Sequence, residues 1–88
     1  MNIGIIGTGY VGIVTGACLA EMGNAVICFD IDETKIATYS KGISAIYEPG
    51  LEEILAKNLK QKRISFTSRI DELIAQSEII FICVGTPQ

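Results

Sequence analysis

Three glycines near the amino terminus have the spacing of a dinucleotide-binding turn. They lie in Gly7-Thr8-Gly9-Tyr10-Val11-Gly12, which fits G-x-G-x-x-G. The first glycine permits a tight turn after a strand, the second lets the backbone approach a pyrophosphate, and the third allows close helix packing. The amides of Tyr10, Val11 and Gly12 would then face the phosphates at the positive end of a helix. The alternative is a glycine-rich turn selected for packing alone.

Two charged residues follow the next apolar run. Asp30 comes about twenty residues after the glycines, where a carboxylate can accept both hydroxyls of an adenosine ribose and repel a 2′-phosphate. The spacing therefore favours NAD over NADP. Lys35, further into the next helix, could also reach the ribose. The alternatives are that Asp30 merely ends a strand and that Lys35 is a solvated lysine.

A third segment, Gly85-Thr86-Pro87, follows the most apolar run of the sequence, which ends at Val84. Ligands of open α/β sheets bind outside the carboxyl ends of the strands, at the point where the strand order reverses. We therefore expect this loop to border the nicotinamide half of the cofactor, where backbone groups and the Thr86 hydroxyl could contact its ribose or amide. The alternative is that Thr86 is a plain loop threonine.

The hydrophobic pattern predicts the elements that position these residues. Val11, Val14 and Cys18 mark the first helix, Asp32 is the predicted N-cap of the second, and Pro49-Gly50 is the predicted centre of a type II turn before the third. Glu48 is interpreted as part of that turn and not as a catalytic residue. Strands are predicted at 2–6, 25–29, 64–67 and 78–84, and helices at 10–22, 33–41, 51–59 and 70–76.

Strands joined by helices predict a parallel sheet with flanking helices, a Rossmann-like α/β fold of about four strands in the order 3-2-1-4. That order leaves the apolar strand 78–84 at an edge, and exposed apolar edges recruit other strands. We therefore expect residues 1–88 to be the amino-terminal part of an NAD-binding domain, an incomplete half of it, and to self-associate through 78–84.

Composition limits the classes of function. The 88 residues are 49% hydrophobic and carry a net charge of −3, which indicates one small domain and argues against a nucleic-acid partner. The sequence lacks a secretory signal and a membrane-spanning apolar run, so a cytoplasmic protein without a membrane partner is expected.

Histidine, the commonest general base and metal ligand, is absent. Cys18, Cys28 and Cys83 lie in apolar runs without metal-type spacing, and each is expected to be a buried, reduced thiol.

Three segments, taken together, resemble the UDP-glucose and GDP-mannose dehydrogenase family. They are GIIGTGYVGIVTGACLAEMGNAVICFDID, IYEPGLEE and FICVGTPQ, in that order. The resemblance implies a Rossmann-type segment of an enzyme that oxidises the C6 alcohol of a nucleotide sugar twice, with two NAD. The members that convert UDP-glucose to UDP-glucuronate are the most similar. Enzymes acting on GDP-mannose or UDP-N-acetylmannosamine are the alternatives.

The resemblance also assigns roles to residues. It implies pyrophosphate contacts for Gly7 to Gly12, adenosine-ribose contacts for Asp30 and Lys35, and nicotinamide contacts for Val84 to Thr86. The thiol nucleophile of the family and its assisting lysine, asparagine and aspartate belong to motifs that are not found in this sequence. No catalytic residue is therefore assigned, and residues 1–88 alone are expected to be inactive. A stand-alone nucleotide-binding or assembly module is the remaining alternative.

Overall fold

The computed structural model describes residues 1–44, 46 and 48–84. Within this part of the chain, strands alternate with one or two helices. The strands are β1 (Asn2–Ile6), β2 (Ala25–Phe29), β3 (Ile64–Thr67) and β4 (Ile79–Ile82), and the helices are α1 (Tyr10–Glu21), α2 (Glu33–Ser40), α3 (Leu51–Lys60) and α4 (Ile70–Gln76). None of these helices is long and apolar enough to cross a membrane.

The four strands form one parallel sheet in the order β3-β2-β1-β4, which confirms the predicted order and Rossmann-like class. The register sets Ile6 opposite Phe29 on one side and Ile82 on the other. Because the strands are parallel, the segments that follow β1, β2 and β4 leave the sheet at the same edge. The first two segments singled out in the sequence begin at this edge, and Val84, the last described residue before the third, also lies there.

Helices cover both faces of the sheet. Alternate residues of a strand point to opposite faces, so Ile5 lies beside Gly16 of α1 while Gly4 faces Leu73 of α4. A Cβ atom on Gly4 would collide with the Leu73 side chain, which shows that α4 lies directly on β1. The main core joins α1, α2 and α3 to the sheet through Ile3, Ile5, Ile13, Ala17, Ala20, Val26, Cys28, Tyr39, Leu51, Leu55 and Ile64.

Of the three residues whose spacing marks α1 in the sequence, only Val14 packs against the core. The buried residues are Gly12, Ile13, Gly16, Ala17 and Ala20, whereas Val11 and Cys18 are exposed. Both faces of the helix are apolar. The face with small residues packs against the sheet because small side chains let the helix approach it closely. A Cβ atom on Gly16 would lie 3.0 Å from the Cys28 sulfur.

The three thiols therefore occupy different environments. The expectation of a buried thiol is wrong for Cys18, which is exposed, and Cys83 is only half-buried just beyond β4. Cys28 is buried, and this burial, with a smaller contribution from Cys83, raises its pKa to about 12. At neutral pH the Cys28 thiol stays protonated and behaves as a small apolar core residue.

Two local predictions at helix starts are confirmed. The Asp32 carboxylate caps α2 by accepting hydrogen bonds from the amides of Thr34 and Lys35. Before α3, the Leu51 amide donates to the Glu48 carbonyl at 3.0 Å and Gly50 has φ +83°, the geometry of a type II turn.

Strand β4 is shorter than predicted and ends at Ile82. In the described part of the chain it pairs only with β1, and its four side chains, Ile79, Ile80, Phe81 and Ile82, are all exposed. The predicted apolar edge is thus a feature of the structure.

Candidate dinucleotide-binding site

The turn after β1 requires glycine at position 7. Gly7 has φ +102°, a left-handed conformation that side-chain-bearing residues rarely adopt. Its amide donates to the Phe29 carbonyl at 2.8 Å, which ties the turn to the end of β2. A Cβ atom here would also lie 2.9 Å from the Cys83 carbonyl oxygen. Position 7 thus joins the ends of three neighbouring strands.

The other two glycines have different surroundings. Gly9 is the N-cap of α1, has an ordinary φ of −71°, and would give an added Cβ nothing to touch within 4 Å. A Cβ on Gly12 would instead collide with the Gly7 carbonyl oxygen. Position 12 therefore needs glycine for packing, whereas position 9 leaves open space beside the backbone.

The first turn of α1 presents Tyr10 and Val11 to solvent. Amides in the first turn of a helix lack acceptors within the helix, and they attract anions at its positive end. The Tyr10 hydroxyl donates to Glu48 Oε1 at 3.1 Å, and this bond together with the charge of Glu48 raises the Tyr10 pKa. Glu48 is thus a turn residue, as interpreted from the sequence, but its contact with Tyr10 had no sequence signal.

Asp30 lies at the end of β2 and is held by donors from two loops. Its Oδ2 accepts from the Thr8 amide at 3.0 Å and from the Thr8 hydroxyl at 2.6 Å, and its Oδ1 accepts from the Asp32 amide at 3.0 Å. The Lys35 ammonium lies 3.7 Å from Oδ2. Asp30 and Lys35, paired in the sequence argument, are therefore neighbours in space.

These contacts keep Asp30 ionised. Its side chain is only 13% exposed, and burial alone would raise its pKa. The hydrogen bonds from Thr8 and Asp32, with the charge of Lys35, outweigh burial and lower the pKa to about 2. The cleft consequently contains a permanent negative charge at neutral pH.

A cleft of about 240 Å³ brings together most of the predicted site residues. Its lining consists of Ile6, Gly7, Thr8, Gly9, Phe29, Asp30, Ile31, Lys35, Cys83 and Val84. Four apolar or thiol residues in this lining, Ile6, Phe29, Ile31 and Cys83, were not assigned from the sequence. Gly85 and Thr86, assigned to the nicotinamide side, lie outside the described residues, although Val84 just before them reaches the cleft. No group of acidic or cysteine side chains in the described ranges is arranged to hold a metal ion.

Sequence reasoning missed the role of Tyr39 at this site. Its hydroxyl donates to the Thr8 carbonyl at 3.1 Å, and its ring stacks on Phe66 of β3 with centroids 5.4 Å apart. Tyr39 and Thr8 are both fully buried. The sequence gives no local signal of this contact, because the partner of Tyr39 is 31 residues away.

Comparison with known proteins agrees with this geometry. Residues 1–88 match the sequence model of the UDP-glucose/GDP-mannose dehydrogenase family, NAD binding domain. A UDP-glucose 6-dehydrogenase of Bacillus subtilis is 56% identical over 88 residues, which are 100% of this chain and 20% of that protein.

Solved structures give the same result. A GDP-mannose dehydrogenase of Pseudomonas aeruginosa, solved as a ternary complex, superposes with a TM-score of 0.96 at 44% identity, covering 99% of this chain and 20% of that one. A UDP-glucose dehydrogenase of Pyrobaculum islandicum gives a TM-score of 0.93 at 37% identity, covering 98% and 20%. This chain thus spans about a fifth of the length of the relatives it matches. From its glycine turn to its fourth strand, the chain belongs to the UDP-glucose/GDP-mannose dehydrogenase family, to the NAD binding domain of that family.

Proposed function

We propose that residues 1–88 form the amino-terminal part of the NAD-binding domain of a dehydrogenase that oxidises UDP-glucose at C6. The observation that carries the proposal is the cleft lined by Gly9 and the ionised Asp30, in which Gly9 has open space beside its backbone and is the N-cap at the start of α1. A dinucleotide needs these three features together: space beside a backbone, an anion-binding helix start, and a ribose acceptor.

The residues of the cleft fit NAD. The glycine turn would receive the pyrophosphate without a cationic side chain. Asp30 Oδ1 accepts one hydrogen bond from the Asp32 amide, and a carboxylate oxygen can accept two, so one lone pair is available to a ribose hydroxyl. Because Asp30 is ionised, it would repel the 2′-phosphate of NADP. Bound NAD would supply the hydride acceptor, and this chain would hold and orient it.

The nicotinamide half of the cofactor is proposed to border Val84, Gly85 and Thr86. The support is that Val84 lines the same cleft as Gly9 and Asp30. The Cys83 amide donates to the Ile6 carbonyl at 2.7 Å, which holds the start of this segment against the end of β1.

The choice of UDP-glucose follows the relatives. The Bacillus subtilis protein that is 56% identical is a UDP-glucose 6-dehydrogenase, whereas the Pseudomonas aeruginosa structure at 44% identity is a GDP-mannose dehydrogenase. The second relative keeps GDP-mannose as the alternative substrate. We assign neither sugar contacts nor catalytic groups to residues 1–88, which are proposed to be inactive alone.

Calorimetric titration with NAD tests the cofactor assignment through Gly9→Ala and Asp30→Ala. An added methyl at position 9 meets no protein atom, so we expect a stability loss of at most about 1 kcal/mol, the cost of a poorer N-cap. The same methyl would occupy the space needed by the pyrophosphate, and NAD affinity should fall at least about tenfold. Asp30→Ala should weaken NAD by a similar factor.

Wild-type protein that fails to bind NAD would contradict the proposal. Retention of wild-type affinity by Gly9→Ala would remove the pyrophosphate assignment, and retention by Asp30→Ala would remove the ribose assignment. Melting curves of both variants separate loss of binding from loss of folding.

We also propose that the exposed edge of β4 pairs with a β4 strand of a second copy when residues 1–88 are isolated. Ile82 is 72% exposed at this edge, beside three further exposed apolar residues. Ile82→Lys should suppress the association seen by sedimentation, because a charged edge discourages strand pairing. Monomeric wild-type protein at high concentration would refute this proposal.

A cytoplasmic location is proposed as well. Its support is the state of the three cysteines, which are free thiols and suit a reducing compartment.

A further inference from the structure

Thr8 is a buried residue that connects the glycine turn after β1 with Asp30 at the end of β2. Its amide and hydroxyl both donate to Asp30 Oδ2, while its carbonyl accepts from the Tyr39 hydroxyl. All its polar groups are thus bonded to residues more than 20 positions away. The Thr8 side chain is fully buried, so it would not touch a ligand itself. It would act on ligand binding through the groups that it holds in place.

Tyr39 is suited to fix the peptide between Thr8 and Gly9. Its ring is fully buried in the core and is fixed by stacking on Phe66 at an interplanar angle of 20°. Burial and the negative charge of Asp30 raise the Tyr39 pKa, so the hydroxyl keeps its proton and donates throughout the physiological range. The carbonyl that it binds belongs to the residue just before the open Gly9.

We propose that Thr8 and Tyr39 are positioning residues with separate duties: the Thr8 hydroxyl orients Asp30 for the adenosine ribose, and the Tyr39 hydroxyl fixes the Thr8-Gly9 peptide for the diphosphate. This inference rests on the proposed NAD function and deepens it. The contacts divide accordingly. Without the Tyr39 hydroxyl, Asp30 retains the Thr8 and Asp32 donors, whereas the peptide before Gly9 loses its buried donor.

Adenosine and ADP distinguish the two duties, because only ADP carries the diphosphate. The protein at its natural length is titrated with each compound by calorimetry. Tyr39→Phe should weaken ADP about three- to tenfold, the value of one hydrogen bond, and leave adenosine within about twofold. Thr8→Val should weaken both compounds about tenfold, since both contain the ribose. Thr8→Ser, which keeps the hydroxyl, should restore both affinities.

Thr38→Val is the matched control. It removes an exposed hydroxyl that bonds within α2 to the Thr34 carbonyl, one residue from Tyr39, and should leave both affinities unchanged. If Tyr39→Phe does not fold, Phe66→Leu replaces it, since loss of the stacking partner should loosen the same hydroxyl and give the same selective loss of ADP.

Equal weakening of adenosine and ADP by Tyr39→Phe would reduce Tyr39 to a structural residue and overturn the inference. Unchanged ADP affinity in that variant would do the same, as would failure of Thr8→Ser to restore binding. Wild-type protein that binds neither NAD nor ADP would overturn the proposed function and this inference with it. If the wild type binds NAD and ADP but a variant gives any of the three contrary results above, this inference is overturned and the proposed function stands.

Discussion

Asp30→Asn removes a charge that the fold stabilises, and its effect on stability should depend on pH. In the native protein the carboxylate accepts three hydrogen bonds and lies near the Lys35 ammonium. Its pKa falls from an ordinary value of 3.8 to about 2. That shift corresponds to about 2 kcal/mol of folding free energy, because the ionised form is favoured in the native state over the unfolded one.

The sign of the pH dependence follows from the lowered pKa. The contribution of Asp30 is fully present above the unfolded pKa of about 4 and is lost as the pH falls through about 2. Urea denaturation of the wild type and of Asp30→Asn, from neutral pH to about pH 2, measures it. We expect the wild type to be more stable by about 2 kcal/mol at neutral pH, and this difference to shrink below about pH 4. Glu33→Gln, which removes an exposed carboxylate from the start of α2, controls for net charge.

A difference between wild type and Asp30→Asn that stays constant from neutral pH to about pH 2 would refute the reasoning. Asp30 would then contribute through shape or hydrogen bonding alone, without a charge stabilised by folding. A difference that grows on acidification would mean that the carboxylate is protonated more readily in the native state than in the unfolded one, contrary to the contacts with Thr8 and Lys35.

Three further substitutions test the packing and the backbone geometry of the fold, each measured by urea denaturation. Gly12→Ala should cost about 3 kcal/mol or more, because the added methyl collides with the Gly7 carbonyl; a loss below about 1 kcal/mol would show that α1 can shift freely. Lys62→Gly should stabilise the protein by about 0.5–1 kcal/mol, because Lys62 has φ +59°, whereas Lys62→Ala should give no such gain. Asn58→Ala should cost about 2 kcal/mol, since this fully buried amide bonds to Glu21, Ile54 and Arg63, and an unchanged stability would contradict that role.

The layout of the fold was predictable because its signals are local. Apolar runs that end at Gly7 and Asp30 mark β1 and β2, a half-polar run marks β3, and the longest apolar run marks β4. Because helical segments separate these runs, a parallel sheet is predicted. The inward face of α1 was not predictable in this way. Val11, Val14 and Cys18 have helical spacing, but so do Ile13 and Ala17 on the other face. Only the approach of α1 to the sheet, which needs Gly12 and Gly16, decides between the two faces.

The residues of the site were predictable from the sequence, but the hydrogen bonds that connect them were not. The glycine spacing and the acidic residue at the end of β2 are motif-level signals. The bonds that tie Thr8 to Asp30 and to Tyr39 cross 22 and 31 residues and depend on side-chain placement in the folded core. A threonine between two glycines gives no sign of these bonds in the sequence.

Because β1, β2 and β4 are parallel, the carboxyl ends of the strands form one edge of the sheet and their amino ends form the opposite edge. The cleft forms at the carboxyl edge, whereas the connection 22–24 between α1 and β2 lies at the amino edge, about 13 Å away along a five-residue strand. Gly23 in this connection has φ +102° and an added Cβ would touch nothing there within 4 Å. A fluorescent reporter or peptide tag engineered into 22–24 would therefore leave the cleft open, and it offers a place to label the protein while its ligands are titrated at the other edge.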